Sequence, residues 1–317
     1  MQTIDAVAPR EEIRSDTGAE HHDGLEALGR TVLHPTASGG VYARTADFEA
    51  AVAGLSRLIT RHREAGTEVL HFPPVMNRRH VERAGYLHSF PHLLGCVCGL
   101  HGEEPKIRAA VARFNAGQEW VDALSASDLV LTPAACYPLY PMAAERGKLP
   151  LQGLRFDVES YCFRREQTFE VDRLQAFRMR EYVFMGAPAG AVEFRARWLD
   201  LVKELAGDLA LPYRIAPASD PFFGRAARLI AASQVEQMLK FELLVPLRSP
   251  ESPTACMSFN YHRDHFGLAW DLKTDDGAVA HTACVAFGID RLALALFAVH
   301  GTKLPQWPQA VRRALAL

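Results

Sequence analysis

The chain has 317 residues, of which 49% are hydrophobic and 23% charged, with a formal net charge of −2. That length can build one large core or two small ones, and the near-neutral balance excludes the bulk basic character of proteins that grip nucleic-acid backbones. No apolar run approaches the ~20 residues of a membrane span, no basic start with an apolar h-region is present, and six scattered cysteines are too few for a disulfide framework. A cytoplasmic protein with no membrane partner is expected.

Residues 1–40 read as a partly ordered N-terminal arm and 41–317 as one catalytic-sized unit. Over 47–64, Phe48, Val52, Leu55, Leu58 and Ile59 recur at helical spacing, and Gly66 ends the run. A strand is expected over 67–72, stopped by Pro73-Pro74, then a helix over 103–125. A short strand at 128–131 delivers the loop Thr132-Pro133-Ala134-Ala135-Cys136. A hairpin over 156–186 follows, then an amphipathic helix over 190–210 and a strand over 213–216. Beyond these come a helix over 225–240, strands over 241–247, 254–260, 266–273 and 280–287, and a last helix starting near Asp290. Hairpins dominate and regular βαβ alternation is absent, so the fold class is α+β, an antiparallel sheet flanked by helices.

Three segments carry candidate chemistry. Arg164 and Glu166 sit two apart on an expected strand and so share a face; a surface ion-pair stripe is the plain alternative. Ala286-Phe287-Gly288-Ile289-Asp290-Arg291 is an apolar strand entering a helix through glycine, with an arginine in the first turn. A helix start plus a guanidinium suits a polyphosphate, although a solvated arginine has the same spelling. The third segment, 66–73, runs from a helix end through glycine and strand to proline, as an ordinary edge strand does. Cys96 and Cys98 form a C-x-C without a partner pair and read as core cysteines, as does Cys284 taken alone.

In their joint order and spacing these segments resemble the three signature motifs of class II aminoacyl-tRNA synthetases, specifically the seryl branch, over roughly residues 41–317. The resemblance implies a class II synthetase-like catalytic domain that forms a homodimer through its first motif. Arg164 would hold the ATP α-phosphate and the substrate carboxylate, Glu166 the adenine amino group, and Phe177 the adenine ring. Arg291 would bind the γ-phosphate, making Arg164 and Arg291 the catalytic pair. Arg173 and Leu174 match the end of the ATP-contacting loop. Ala255, Cys256, Met257 and Ser258 match the strand lining the phosphates, and Lys240 a further phosphate contact. Mg2+ would accompany ATP, but the family's acidic ligand has no clear counterpart, Glu251 fitting poorly.

Two departures from ordinary seryl enzymes narrow the resemblance. Cys136 stands where those enzymes carry a serine-gripping carboxylate, which is similar to the zinc-dependent seryl type. That type implies a Zn2+ site formed by Cys136, Glu181 and Cys284, with Glu181 facing the substrate amine. No coiled-coil tRNA arm precedes the core, and a helical insertion covers about 220–240. A synthetase core of this kind resembles the amino acid:[carrier protein] ligases. They would activate a small amino acid (glycine, then alanine, with serine third) as an adenylate and pass it to the phosphopantetheine thiol of a carrier protein, without tRNA. The insertion, with Arg225 and Arg228, is then the expected carrier-docking surface. An atypical seryl-type tRNA synthetase and a non-catalytic amino-acid-sensing paralogue remain as alternatives.

Overall fold

The computed structural model describes residues 18–166 and 170–317. Residues 1–17 of the expected arm and 167–169 in the hairpin loop lie outside the described residues. Helix α1 (Gly18–Val32) leads into strand β1 (Leu33–Pro35), which pairs with β2 (Tyr42–Arg44). Leu25, Val32 and Leu33 are buried in the main core, so this part of the expected arm packs against the rest.

Helix α2 (Ala46–Arg61) starts where Thr45 accepts the Phe48 N–H on its hydroxyl at 3.3 Å, an N-cap that satisfies one orphan donor. Its Phe48, Val52, Leu55, Leu58 and Ile59 are all buried, as their spacing demands. Gly66 takes φ +78°, which a Cβ would oppose, and turns the chain into β3 (Glu68–His71).

The next stretch holds β4 (Val75–Asn77), short helices α3 (Arg78–Arg83) and α4 (Tyr86–Ser89), β5 (Cys96–Gly99), α5 (Glu104–Asn115) and β6 (Ser125–Leu131). Its three strands form a small sheet ordered β4-β6-β5. Helix α5 stops short of the expected 125 because Gly117 at φ +68° breaks the helical path. Cys96 and Cys98 are exposed, contrary to their reading as core residues. They lie on an edge strand, two residues apart, and alternation puts both on its outer face.

After α6 (Leu139–Ala144) come β7 (Leu154–Phe163) and β8 (Ala176–Gly186), the expected hairpin, then α7 (Pro188–Asp208), β9 (Arg214–Pro217), α8 (Ala227–Glu236), β10 (Lys240–Val245) and β11 (Thr254–Arg263). Helix α9 (His265–Trp270), β12 (His281–Gly288), α10 (Ile289–His300) and α11 (Gln309–Leu315) complete the chain. The segment expected as a strand over 266–273 is largely α9. Phe266 and Trp270, four apart, are both buried, and Phe266 stacks on Tyr140 at 3.8 Å. A Cβ on Gly267 would lie 2.1 Å from the Ala280 carbonyl, so only glycine lets this helix approach so closely.

The main sheet has seven strands ordered β3-β7-β8-β12-β11-β10-β9. Every pairing is antiparallel except β3 with β7. Strand alternation divides its residues between two cores. Tyr182, Phe184, Val285 and Phe287 face α2, α7 and α10, while Val183, Met185, Cys284 and Ala286 face α6 and α9. Helix α10 is buried from Ile289 to Phe297 except at Arg291, and so forms the spine of the first core. Phe297 is fully buried, stacked on Phe48 at 5.9 Å and edge-on to Trp307 at 5.0 Å. Replacing Phe297 by alanine is expected to cost about 3–5 kcal/mol of stability. Urea unfolding should show it as a lowered midpoint, and an unchanged midpoint would mean this core is not the one that holds the fold.

Candidate active site

A cavity of about 410 Å³ opens on the second face of the main sheet. Its walls come from the end of β7, from β8, β10, β11 and β12, from the loop after β6 and from the segment ahead of α8. Two guanidiniums point into it. Arg164, just past β7, donates Nε to the Pro133 carbonyl at 2.9 Å, and its guanidinium lies 5.6 Å from the Phe177 ring centre. Arg291, in the first turn of α10, donates Nε to the Asp172 carbonyl at 2.9 Å and Nη1 to the Ala255 carbonyl at 3.1 Å. Neither has a carboxylate partner within ion-pair distance among the described residues. Burial, with the charge of nearby Arg173, presses the Arg291 pKa below its usual value.

The contrast lies one layer away. Arg178 and Arg180, both buried on the opposite face of β8, are saturated by carboxylates. Arg180 donates Nε to Asp157 Oδ1 at 2.8 Å and Nη2 to Asp157 Oδ2 at 2.6 Å. Arg178 is held by Glu49 and Asp290. Arg164 and Arg291 are half-buried, and a charge drawn partly out of water without a counter-ion is costly, so the unpaired pair marks where an anion belongs.

At the other end of the cavity Cys136, Glu181 and Cys284 converge from three elements. The Cys136 N–H donates to Glu181 Oε1 at 3.0 Å. Register explains the rest: Glu181 pairs with Ala286 across β8 and β12, which puts Cys284 diagonally beside it on the same face. The two thiols and the carboxylate interact, and all three are buried. Burial lifts the Glu181 pKa above the ordinary carboxylate range against the pull of both thiols. The hydrogen bond with Cys284 lowers the Cys136 pKa, but burial and the Glu181 charge outweigh it and leave the thiol raised. Cys284 is raised by its bond with Cys136, by burial and by Glu181. Asn260 donates Nδ2 to Cys284 Sγ at 3.3 Å, and His262 Nε2 lies 3.7 Å from the same sulfur. Burial, then the His265 charge, lowers the His262 pKa to about 4, so this ring is neutral near pH 7.

As they stand, no three His, Cys, Asp or Glu side chains among the described residues are spaced as a ready metal site. The donor chemistry of this trio nonetheless fits one. Three acidic groups crowd together in a buried place, and two sulfurs with one carboxylate oxygen suit Zn2+.

Of the residues singled out by sequence, Arg164, Glu166, Phe177, Lys240, Ala255, Cys256, Met257, Ser258 and Arg291 line the cavity with Cys136, Glu181 and Cys284. Arg164 and Glu166 lie beyond the last residue of β7: the Arg164 N–H still meets the Gln175 carbonyl in hairpin register, but the Arg165 N–H leaves for the Leu93 carbonyl and the Glu166 N–H turns back to the Arg164 carbonyl. Arg173 is exposed, Leu174 is buried in the first core, and neither lines the cavity. Lys240 is bracketed by carboxylates, with Nζ 2.6 Å from Asp220 Oδ1 and 3.0 Å from Glu242 Oε1. Glu251 is exposed and away from the cavity. Sequence reasoning missed Asp220, Asn260 and His262, which line the cavity, and Arg178 and Asp290, whose side chains pair on the helical side and reach only its edge. For the last two the sequence held a signal, since charged residues on an otherwise apolar strand and helix start must find partners.

Asp220 ties the segment before α8 to this wall. Its N–H and carboxylate meet Gln234 at 2.7 and 2.8 Å, and it holds Lys240. Phe222 stacks on Phe90 at 5.4 Å. Beyond that anchor, α8 buries no residue and shows Arg228, Leu229 and Ile230 to solvent, as does Arg225 just ahead of it.

No family model matches the chain. Amino acid--[acyl-carrier-protein] ligase 1 of Bradyrhizobium diazoefficiens is 59% identical over 302 residues, which cover 95% of this chain and 93% of that protein. Ligase 2 of the same organism is 55% identical over 306 residues, covering 96% and 92%. Among solved structures, M. kandleri seryl-tRNA synthetase, in a complex with A. aeolicus tRNASec, superposes with a TM-score of 0.78 at 23% identity. It covers 99% of this chain and 62% of that one, and shows the fold to be that of a class II synthetase.

The segment that covers Arg291 has its own lock. Arg248 pairs with both Glu170 and Asp172, and Thr254 donates its hydroxyl to Asp172 Oδ2 at 2.5 Å. Burial raises the Asp172 pKa, but these bonds outweigh it and leave it below the usual value. A depressed folded pKa contributes stability above the unfolded value, about 4, that is lost as pH falls through the folded one. Asp172→Asn should therefore be less stable than the wild type at pH 7, with the gap closing below about pH 4. A gap independent of pH in denaturant melts would show that the charge is not what holds this segment.

Proposed function

The chain belongs to the amino acid--[acyl-carrier-protein] ligase family, and from that premise we propose that it charges a carrier protein with a small amino acid through an aminoacyl-adenylate. The reading rests above all on the two uncompensated guanidiniums, Arg164 and Arg291, facing one cavity whose other end holds a buried acidic trio. The first pair suits a triphosphate and a carboxylate; the second suits an α-amine.

In the first half-reaction a carboxylate oxygen of the amino acid attacks the α-phosphorus of ATP. The bond from that phosphorus to the bridging oxygen breaks, and pyrophosphate leaves with the electron pair. A carboxylate is already ionised at neutral pH, so no general base is required and catalysis is positioning plus charge stabilisation. Arg164 receives the α-phosphate and the carboxylate, Phe177 carries the adenine ring with Glu166 at its amino edge, and Arg291 holds the terminal phosphate. Ala255 to Ser258 form the wall beside it. Mg2+ arrives with ATP. In the second half-reaction the pantetheine sulfur attacks the acyl carbon, the thiol proton goes to solvent, and AMP departs as the thioester forms.

Cys136, Glu181 and Cys284 would hold Zn2+, which, when bound, supplies an open coordination position for a neutral α-amine. Asn260 and His262 crowd the same end of the cavity, which favours glycine, then alanine, then serine. Helix α8 is the docking surface for an acidic carrier, since its exposed apolar and arginine side chains have no partner within the described fold. The free edge of β3 would carry the homodimer contact.

Amino-acid-dependent pyrophosphate exchange, read beside thioester formation on a phosphopantetheinylated carrier, tests this function. Exchange should be strongest with glycine, and charge reversal at Arg225 and Arg228 should abolish transfer while exchange persists. Equal loss of both would remove α8 from the docking account, and charging of tRNA in place of the carrier would favour a tRNA synthetase. Cys136→Ala and Cys284→Ala should each lose bound zinc by elemental analysis together with exchange. A metal-free and fully active variant would defeat the zinc assignment.

A further inference from the structure

Asp290 directly precedes Arg291, and Arg178 directly follows Phe177. The β8–β12 ladder ends at the pair Met179 and Gly288, so Phe177 and Arg291 both lie beyond the last residues that backbone pairing holds together. At that point a side chain takes over from the ladder. Asp290, 1% exposed, accepts the Arg178 backbone N–H on Oδ2 at 2.6 Å and the Arg178 guanidinium on Oδ1 at 3.1 Å from Nε and 2.7 Å from Nη2. Arg44 adds Nε at 3.0 Å and Nη2 at 3.1 Å, and the same Nη2 reaches the Ala176 carbonyl at 3.2 Å. Glu49 on α2 closes the group by pairing with Arg178 at 2.6 and 3.0 Å, so two positive charges meet two negative ones.

We propose that Asp290 is a positioning residue that sets the separation between Phe177 and Arg291, and so the shape of the nucleotide site. The proposal rests on the reading of this cavity as an ATP site. One carboxylate anchors the first residues of β8, strand β2 and the first turn of α10, and the two side chains it spaces are each one residue away from it. A charged hydrogen-bonded group that is satisfied on all sides has one geometry, whereas apolar packing at this point would allow sliding. Small displacements of binding groups cost large factors in rate. Asp290 does not touch the reacting atoms in this account.

The test is Asp290→Asn, which keeps the shape and still accepts the Arg178 N–H but removes the charge. In amino-acid-dependent pyrophosphate exchange its KM for ATP should rise about tenfold or more, with the KM for the amino acid within about twofold of wild type. Because the amino-acid end is fixed by β8–β12 pairing, a general loss of folding would move both constants or neither. Should that variant not fold, Arg44→Ala leaves the Arg178 pair intact and should raise the ATP KM by about threefold, with Arg44→Lys restoring part of it. Unchanged ATP KM in a folded variant, or equal rises for both substrates, would overturn the proposal. Wild-type protein without any exchange activity would instead fail the ATP reading itself.

Discussion

Alternation along β8 is the constraint on which the rest depends. Odd-numbered residues from Phe177 to Met185 turn toward the cavity side, and even-numbered ones toward the helical layer. On the helical side, Arg178 and Arg180 enter a region where an isolated charge would be intolerable, and Asp290 and Asp157 meet them there. Those pairs cost desolvation and return geometry: they fix α2, α10 and the sheet in one relation. On the cavity side, Glu181 and Phe177 are presented to a space that the protein does not fill by itself.

The outcome is a molecule with two kinds of deep arginine. The paired ones are parts of the scaffold. Among the described residues Arg164 and Arg291 donate to the backbone carbonyls of Pro133, Asp172 and Ala255, which orient a guanidinium without neutralising it. At the opposite end Cys136, Glu181 and Cys284 are acids gathered in one buried place, where a basic group would find its partners. A substrate with an anionic end and a basic amine would suit both ends, as an amino acid beside ATP does. The same cavity reaches Phe222 and Asp220, so the segment leading to α8 forms part of its wall rather than a separate appendage.

Much of this was legible in the sequence where a local rule operates. Gly66 marks the end of the α2 run, the apolar spacing of 48–59 marks its buried face, and the Gly288–Arg291 turn marks the start of α10. The α+β class followed from the dominance of hairpins, and resemblance to the seryl synthetases located the cavity-lining residues on β8 and β11. What local rules could not supply was the meeting of distant residues. Cys284 reads as an ordinary core cysteine until β8–β12 register sets it beside Glu181. Asp290 reads as helix-start polarity until Arg44 and Arg178 arrive from two strands. The 266–273 segment was misread because Gly267 and the aromatic pair Phe266 and Trp270 suit a strand or a helix equally, and contact with Tyr140 and Ala280 decides. Cys96 and Cys98 were misread because nothing in the sequence shows that β5 is an edge.

Central to this account is the claim that the two guanidiniums left without carboxylates are the ones that receive the nucleotide. A crystal structure with ATP bound tests it most directly. The account predicts the adenine ring against Phe177, the α-phosphate at Arg164 and the terminal phosphate at Arg291, with Arg178 and Arg180 still on Asp290 and Asp157. Nucleotide bound elsewhere, or phosphates contacting Arg178 after its release from Asp290, would contradict it.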